Sequence, residues 1–122
     1  MTSAFAEIIK AIAPFNLPHA PDVYEGERVD RWFTYNYADD RGNLNADDGP
    51  SDRLVSLQLH LFMPGRENFL DIREKVREAI FATGEFTYPS VTNLGVTEGK
   101  RHIVFEFDGI EERIEERTEN GV

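Results

Sequence analysis

Between positions 54 and 63 the chain alternates: Val55, Leu57, Leu59, Leu61 and Met63 fall on one side, with Ser56, Gln58 and His60 between them on the other. A period of two is what a half-buried strand requires, because successive side chains point to opposite faces of a sheet. The same period recurs at 102–108, where Ile103, Phe105 and Phe107 point one way and His102, Val104, Glu106 and Asp108 the other. It recurs again at 32–37, where Phe33, Tyr35 and Tyr37 share a face and Trp32, Thr34 and Asn36 lie opposite. Phe86, Tyr88 and Val91 suggest a further strand, weakened by Pro89, whose missing N–H points to a bend or an edge.

Two segments follow the helical period instead. Phe5, Ile8, Ile9 and Ile12 fall at i, i+3, i+4 and i+7, with Thr2 or Ser3 available to cap the start and Pro14 to stop the helix. Phe69, Ile72, Val76, Ala79 and Ile80 form a second stripe, faced by Arg66, Glu67, Asp71, Arg73, Glu74, Lys75, Arg77 and Glu78 on the outside and followed by Gly84 as a C′ residue. Residues 15–30, with Pro18, Pro21 and Gly26, read as irregular extended chain. Residues 39–52 read as a long polar loop, and Glu98-Gly99-Lys100 as a turn.

The order α-β-β-α-β-β predicts an α+β fold, a four-stranded, mostly antiparallel sheet with two helices packed on one face. Residues 1–108 make up a single domain. Residues 109–122 read as a charged C-terminal tail, since Ile110 and Ile114 are too few anchors for an isolated helix. A chain of 122 residues with a 40% hydrophobic fraction holds one domain with its own core.

Composition narrows the function classes. There are no cysteines, which excludes disulfides, thiolate metal sites and a cysteine nucleophile together. The formal net charge is −10, so nucleic-acid phosphates and anionic membranes are repelled, and neither is expected as a partner. No run approaches the length of a membrane-spanning helix, and the first 14 residues lack the basic start of a secretory signal, which together suggest a cytosolic protein.

The candidate chemistry is thin. An EF-hand loop begun at Asn43 has oxygen ligands at Asn43, Asn45 and Asp47, but Asp48 stands where glycine is needed and Leu54 where glutamate is needed. His19 stands apart, whereas His60 and His102 lie on the polar sides of strands that could be neighbours and so could share a site. Ser56, Gln58 and His60 share a face, yet strand spacing separates Ser56 from His60 by roughly 13 Å, beyond hydrogen-bond reach. No nucleophile elbow, phosphate loop or dinucleotide fingerprint is present. No catalytic, cofactor-binding or metal-binding residue is therefore assigned, no cofactor is expected, and the chain is not expected to be an enzyme.

A family resemblance rests on the order of short strings. Pro-Asp-Val-Tyr-Glu-Gly-Glu at 21–27 leads into Trp-Phe-Thr-Tyr-Asn-Tyr at 32–37 and Ala-Asp-Asp at 46–48. Ser-Leu-Gln-Leu-His-Leu-Phe-Met-Pro at 56–64, an amphipathic helix and Arg-His-Ile-Val-Phe-Glu-Phe at 101–107 follow. This pattern resembles the small tail components of long-tailed bacteriophages and prophages, the tail terminator or tail completion group. The resemblance implies a homo-oligomeric ring, as in the hexamers of that group, which caps the tail tube and docks to the head connector. It implies residence in the host cytoplasm during assembly and then in the virion tail. The acidic loop and the tail would be the segments facing neighbours or the tail lumen, through Asp39, Asp40, Asp47, Asp48, Glu111, Glu112, Glu115 and Glu116. The competing class is a stand-alone bacterial regulatory or ligand-binding domain, and a third is a small hydrolase using histidine and carboxylates.

Overall fold

The computed structural model describes residues 3–42 and 52–112. The alternating segment around Leu59 forms the middle of a sheet. This strand, β3 (Asp52–Pro64), runs antiparallel to β2 (Trp32–Gly42) on one side and to β5 (Lys100–Glu112) on the other. A short strand, β1 (His19–Pro21), lies parallel to β2 at one edge, and β4 (Ser90–Thr97) lies antiparallel to β5 at the opposite edge. The sheet order is β1-β2-β3-β5-β4.

Register turns the three alternating patterns into one apolar face. Leu59 sits between Tyr35 and Phe105, Leu61 between Phe33 and Ile103, and Leu57 between Tyr37 and Phe107. The buried side chains of α1 (Ala4–Ile12), namely Ala4, Ile8, Ala11 and Ile12, join that face in a single core, as do Val76 and Ile80 of α2 (Leu70–Ala82). Phe5 packs on Tyr35 and Tyr37 at ring distances of 4.9 and 4.8 Å. Ile9 turns outward, because the true stripe of α1 runs through its alanines.

Ser3 occupies the N-cap position of α1 but makes no side-chain cap, contrary to the sequence expectation, while the other helix ends follow their sequences. A 3-10 turn, Ala13–Phe15, holds Pro14, and Asn16 in the left-handed region ends it. The Asn68 carboxamide accepts the first amide of α2, from Leu70, at 2.9 Å. Gly84, with φ 76°, takes the C′ position expected of it. Between β4 and β5, Glu98 and Gly99 both have positive φ, the geometry of a two-residue hairpin turn that follows the twist of its strands.

The α+β class and the placement of both helices on one face agree with the sequence reading, but four details differ. The sheet has five strands and one parallel pair, because three residues containing Pro21 inside a proline-rich stretch carry no periodic signal. The strand expected over 86–91 starts later: Phe86 makes an isolated bridge to Gly109, and β4 begins after Pro89, which cannot donate to a ladder. β2 extends to Gly42 and β3 begins at Asp52, so residues 39–42 and 52 of the expected 39–52 loop are strand, and 43–51 lie outside the described residues. Ala38 has no partner where the β2–β3 register shifts between Tyr37 and Asp39, and this bulge hides the continuation of the alternation. Finally, β5 runs to Glu112, so a boundary at 108/109 would cut a strand. Among the described residues no helix is long and apolar enough to cross a membrane.

Candidate functional site

Among the described residues, the second face of the sheet carries no helix. Its floor is Thr34, Gln58, His60 and Val104, brought side by side by the register Thr34–His60–Val104, with Thr34 only 4% and Val104 only 6% exposed among their neighbours. These are the even positions that the sequence places opposite the core. Alternation alone assigns a side chain to a face, and the pairing of strands decides which side chains meet.

A one-way hydrogen-bond chain crosses three strands here. Glu106, as a carboxylate, only accepts, so the Gln58 carboxamide presents its nitrogen to it at 2.8 Å. Gln58 Oε1 then accepts from Asn36 Nδ2 at 3.2 Å, which leaves Asn36 Oδ1 facing His60 Nε2 at 2.8 Å. His60 must carry its proton on Nε2, so its Nδ1 accepts from His102 Nε2 at 2.8 Å. The direction of every bond follows from the carboxylate at the end of the chain. Farther along the face, Ser56 donates to Asp108 at 2.7 Å.

An aromatic stack adjoins the chain. Phe62 lies against His102 at a ring distance of 4.3 Å and against Trp32 at 4.9 Å, with interplanar angles of 23° and 14°. Tyr24 extends the stack beyond Trp32, and the Lys100 ammonium stands 5.8 Å from the Trp32 ring centre. Rings used against one another in this way give the face a fixed shape.

Both imidazoles are held in the neutral form. Burial lowers the pKa of His60, the neighbouring His102 lowers it further, and Glu106 opposes both effects. Burial also lowers the pKa of His102. The two rings meet head-on, with centres 5.0 Å apart and a proton shared between the facing nitrogens, the geometry of a hydrogen bond and not of a chelate. Among the described residues no three or more histidine, aspartate or glutamate side chains converge as metal ligands. His19 is bonded to Tyr35 at 3.0 Å on the helix-covered side, away from the pair.

The acidic residues expected at an interface have different fates. Asp39 and Asp40 are exposed on β2, where Asp39 pairs with Arg41 at 2.9 Å and Asp40 with Arg53 at 3.4 Å. Glu111 faces inward, only 3% exposed, and accepts from Ala4 N at 2.6 Å, Tyr37 Oη at 2.5 Å and Arg53 at 2.9 Å. Burial alone would raise its pKa, and the bonds from Tyr37, Ala4 and Arg53 outweigh that and hold it below the ordinary carboxylate value. Glu111 is thus spent inside the protomer and is not free for a neighbour. Its place was marked in the sequence: it keeps the odd parity of Ile103, Phe105 and Phe107, inside an acidic run that looks uniformly solvated. Glu112 ends β5, while Asp47, Asp48, Glu115 and Glu116 lie outside the described residues. The sequence matches no protein-family model and no curated protein.

Proposed function

We propose that this chain is a structural subunit that works by assembling through the uncovered face of its sheet, and does not catalyse a reaction. The observation that carries this is the preformed polar chain and ring stack on that face. Groups already locked by each other lose little conformational entropy when a partner covers them. The Asn36–Gln58–Glu106 hydrogen bonds and the Trp32–Phe62–His102 stack are both made within the chain itself. The resemblance to small phage tail components fits the same role: a ring of copies at the end of the tail tube, meeting the head connector. A tail terminator or completion subunit is the specific form we propose.

Light scattering over a concentration series tests this. Thr92, exposed opposite Val104, lies on the uncovered face, and Ala82 is exposed at the end of α2 on the other side. Thr92→Arg should dissociate the assembly while Ala82→Arg leaves it intact, both melting like the wild type at dilutions where the wild type is monomeric. A wild-type chain that stays monomeric at every concentration would overturn the proposal.

One observation favours the runner-up, a stand-alone ligand-binding domain. A cleft of about 390 Å³ beside Trp32, lined by Tyr24, Arg28, Asp30, Glu98 and Lys100, is in the size range of small-molecule pockets. A strictly monomeric chain whose melting temperature rises with a small molecule, an effect abolished by Trp32→Ala, would establish that role instead.

A further inference from the structure

We propose that the His60–His102 pair makes the uncovered sheet face acid-sensitive, taking up one proton with its hydrogen bonds intact and separating on the second. The consequence for association rests on the assembly role proposed above. The behaviour of the pair itself does not.

The direction of the chain dictates the order of protonation. Every donor points toward Glu106, so the acceptor left at the head of the chain is Nδ1 of His102. A first proton enters there and breaks nothing. His102 Nε2–H still donates to His60 Nδ1, now as a charge-assisted and stronger bond. The second proton has only His60 Nδ1 to bind, and that nitrogen already faces the N–H of His102 at 2.8 Å. Two N–H groups and two positive charges then point at each other, and the bond becomes a repulsion.

The surroundings give the second charge little relief. On this face β2 presents Thr34 and Asn36, β3 presents Gln58 and Phe62, and β5 presents Val104 and Glu106. Next to β5, β4 adds Thr92 opposite Val104 and Ser90 opposite Glu106, neither charged. Glu106 alone among these carries charge, and it favours protonated His60 from the far end of the chain. Asp108 is bonded to Ser56, and the Lys100 ammonium sits over Trp32. Among the described residues no helix lies on this side to contribute another group. Relief comes only from parting the rings, which draws His102 off Phe62 and opens the stack that reaches Trp32. The preformed shape of the face is lost with it.

The experiment is an NMR titration of the imidazole signals of the full chain, and light scattering on the same samples. His102 should titrate first and His60 in a separate step at lower pH, with the Trp32 and Phe62 ring signals moving only in the second step. His102→Gln supplies an N–H to neutral His60 and turns its oxygen to accept from protonated His60. That variant should therefore raise the pH at which His60 titrates and leave the Trp32 and Phe62 signals still. Wild-type association should weaken by about tenfold or more through the second step, an ordinary strength of coupling between sites, and should stay nearly constant in His102→Gln. Histidines that titrate independently, or a His60 curve unchanged by His102→Gln, overturn the inference. So does association equally strong on both sides of the second step. A two-step titration in a chain that never associates instead overturns the assembly role and its acid sensitivity, and leaves the two-step pair standing.

Discussion

Glu111 is opposite Arg53 in the β3–β5 ladder, and three donors from three other elements end on its carboxylate: Ala4 in α1, Tyr37 in β2 and Arg53 in β3. The first is a helix cap made from a distance. Ser3 occupies the N-cap position of α1 without capping it, and Glu111 takes the Ala4 amide instead. A carboxylate at a helix N-terminus is also favoured by the helix dipole. Glu111→Ala strips all three donors of their acceptor and should cost about 3 kcal/mol, read from the denaturant midpoint. The pH dependence has a definite sign. Because the folded-state pKa of Glu111 is depressed, its contribution is complete above the ordinary carboxylate range and is lost as pH falls through the lower, folded value. The acid limb of the stability curve should therefore be shallower in Glu111→Gln than in the wild type. Equal slopes would mean that the carboxylate is not held as described. Tyr37, whose pKa is raised by burial and then by its bond to Glu111, stays a donor throughout that range.

At the scale of elements, β3, β5 and α2 were legible because each is long and one-sided: burial along β3 follows its alternation almost residue by residue. β4 was not, since both of its faces are largely exposed and a bulge at Leu94 and Gly95 interrupts its register, which leaves no pattern to find. Such a bulge also blunts an edge that would otherwise offer a free ladder. The end of β5 was misjudged at Gly109, which looks like the close of a domain. Its hydrogen instead makes room for a ring: a Cβ there would stand 2.8 Å from the Phe86 side chain, which packs on Phe107. The candidate face was half legible. Its members lie on outward positions, but the union of Asn36, His60 and His102 depends on register, which alternation does not specify. A chain ended at Asp108 should accordingly melt well below one ended at Glu112, because it loses Glu111 and the Val55–Gly109 to Asp52–Glu112 pairs. Equal melting temperatures would show that these four residues lie outside the cooperative fold.

For the molecule as a whole, the two faces of the sheet differ: helices close one, and the other is the face proposed to meet a partner. The net charge of −10 sets the terms on which copies meet. Identical acidic bodies repel at long range, and salt screens that repulsion over about 10 Å at 0.1 M ionic strength. The middle of the uncovered face, around His60 and Val104, is uncharged, so there is little short-range attraction for salt to weaken. Raising ionic strength from low to physiological should therefore strengthen self-association. An assembly that salt dissolves would be held by ion pairs, and its contact would lie elsewhere on the surface.

The unpartnered Ala38 of β2 has a consequence for how the length of this chain can change. Tyr37 pairs with Leu57 and Asp39 with Ser56, so Ala38 is a supernumerary residue that the ladder steps around. Deleting Ala38 leaves every other cross-strand partnership as it stands, including Asp40 beside Val55 on the side where it meets Arg53. Deleting Thr34, four residues earlier, turns Phe33 out of the core or, if the gap is closed at Ala38, turns Tyr35 out of the core and Asn36 into it. A single-codon loss at 38 should give a folded chain with a straighter strand, and the same loss at 34 should give an insoluble one, a contrast that a deletion scan by soluble yield would read directly. The bulge makes this position a place in the sheet where the reading of the gene can lose a residue without the protein losing its inside from its outside.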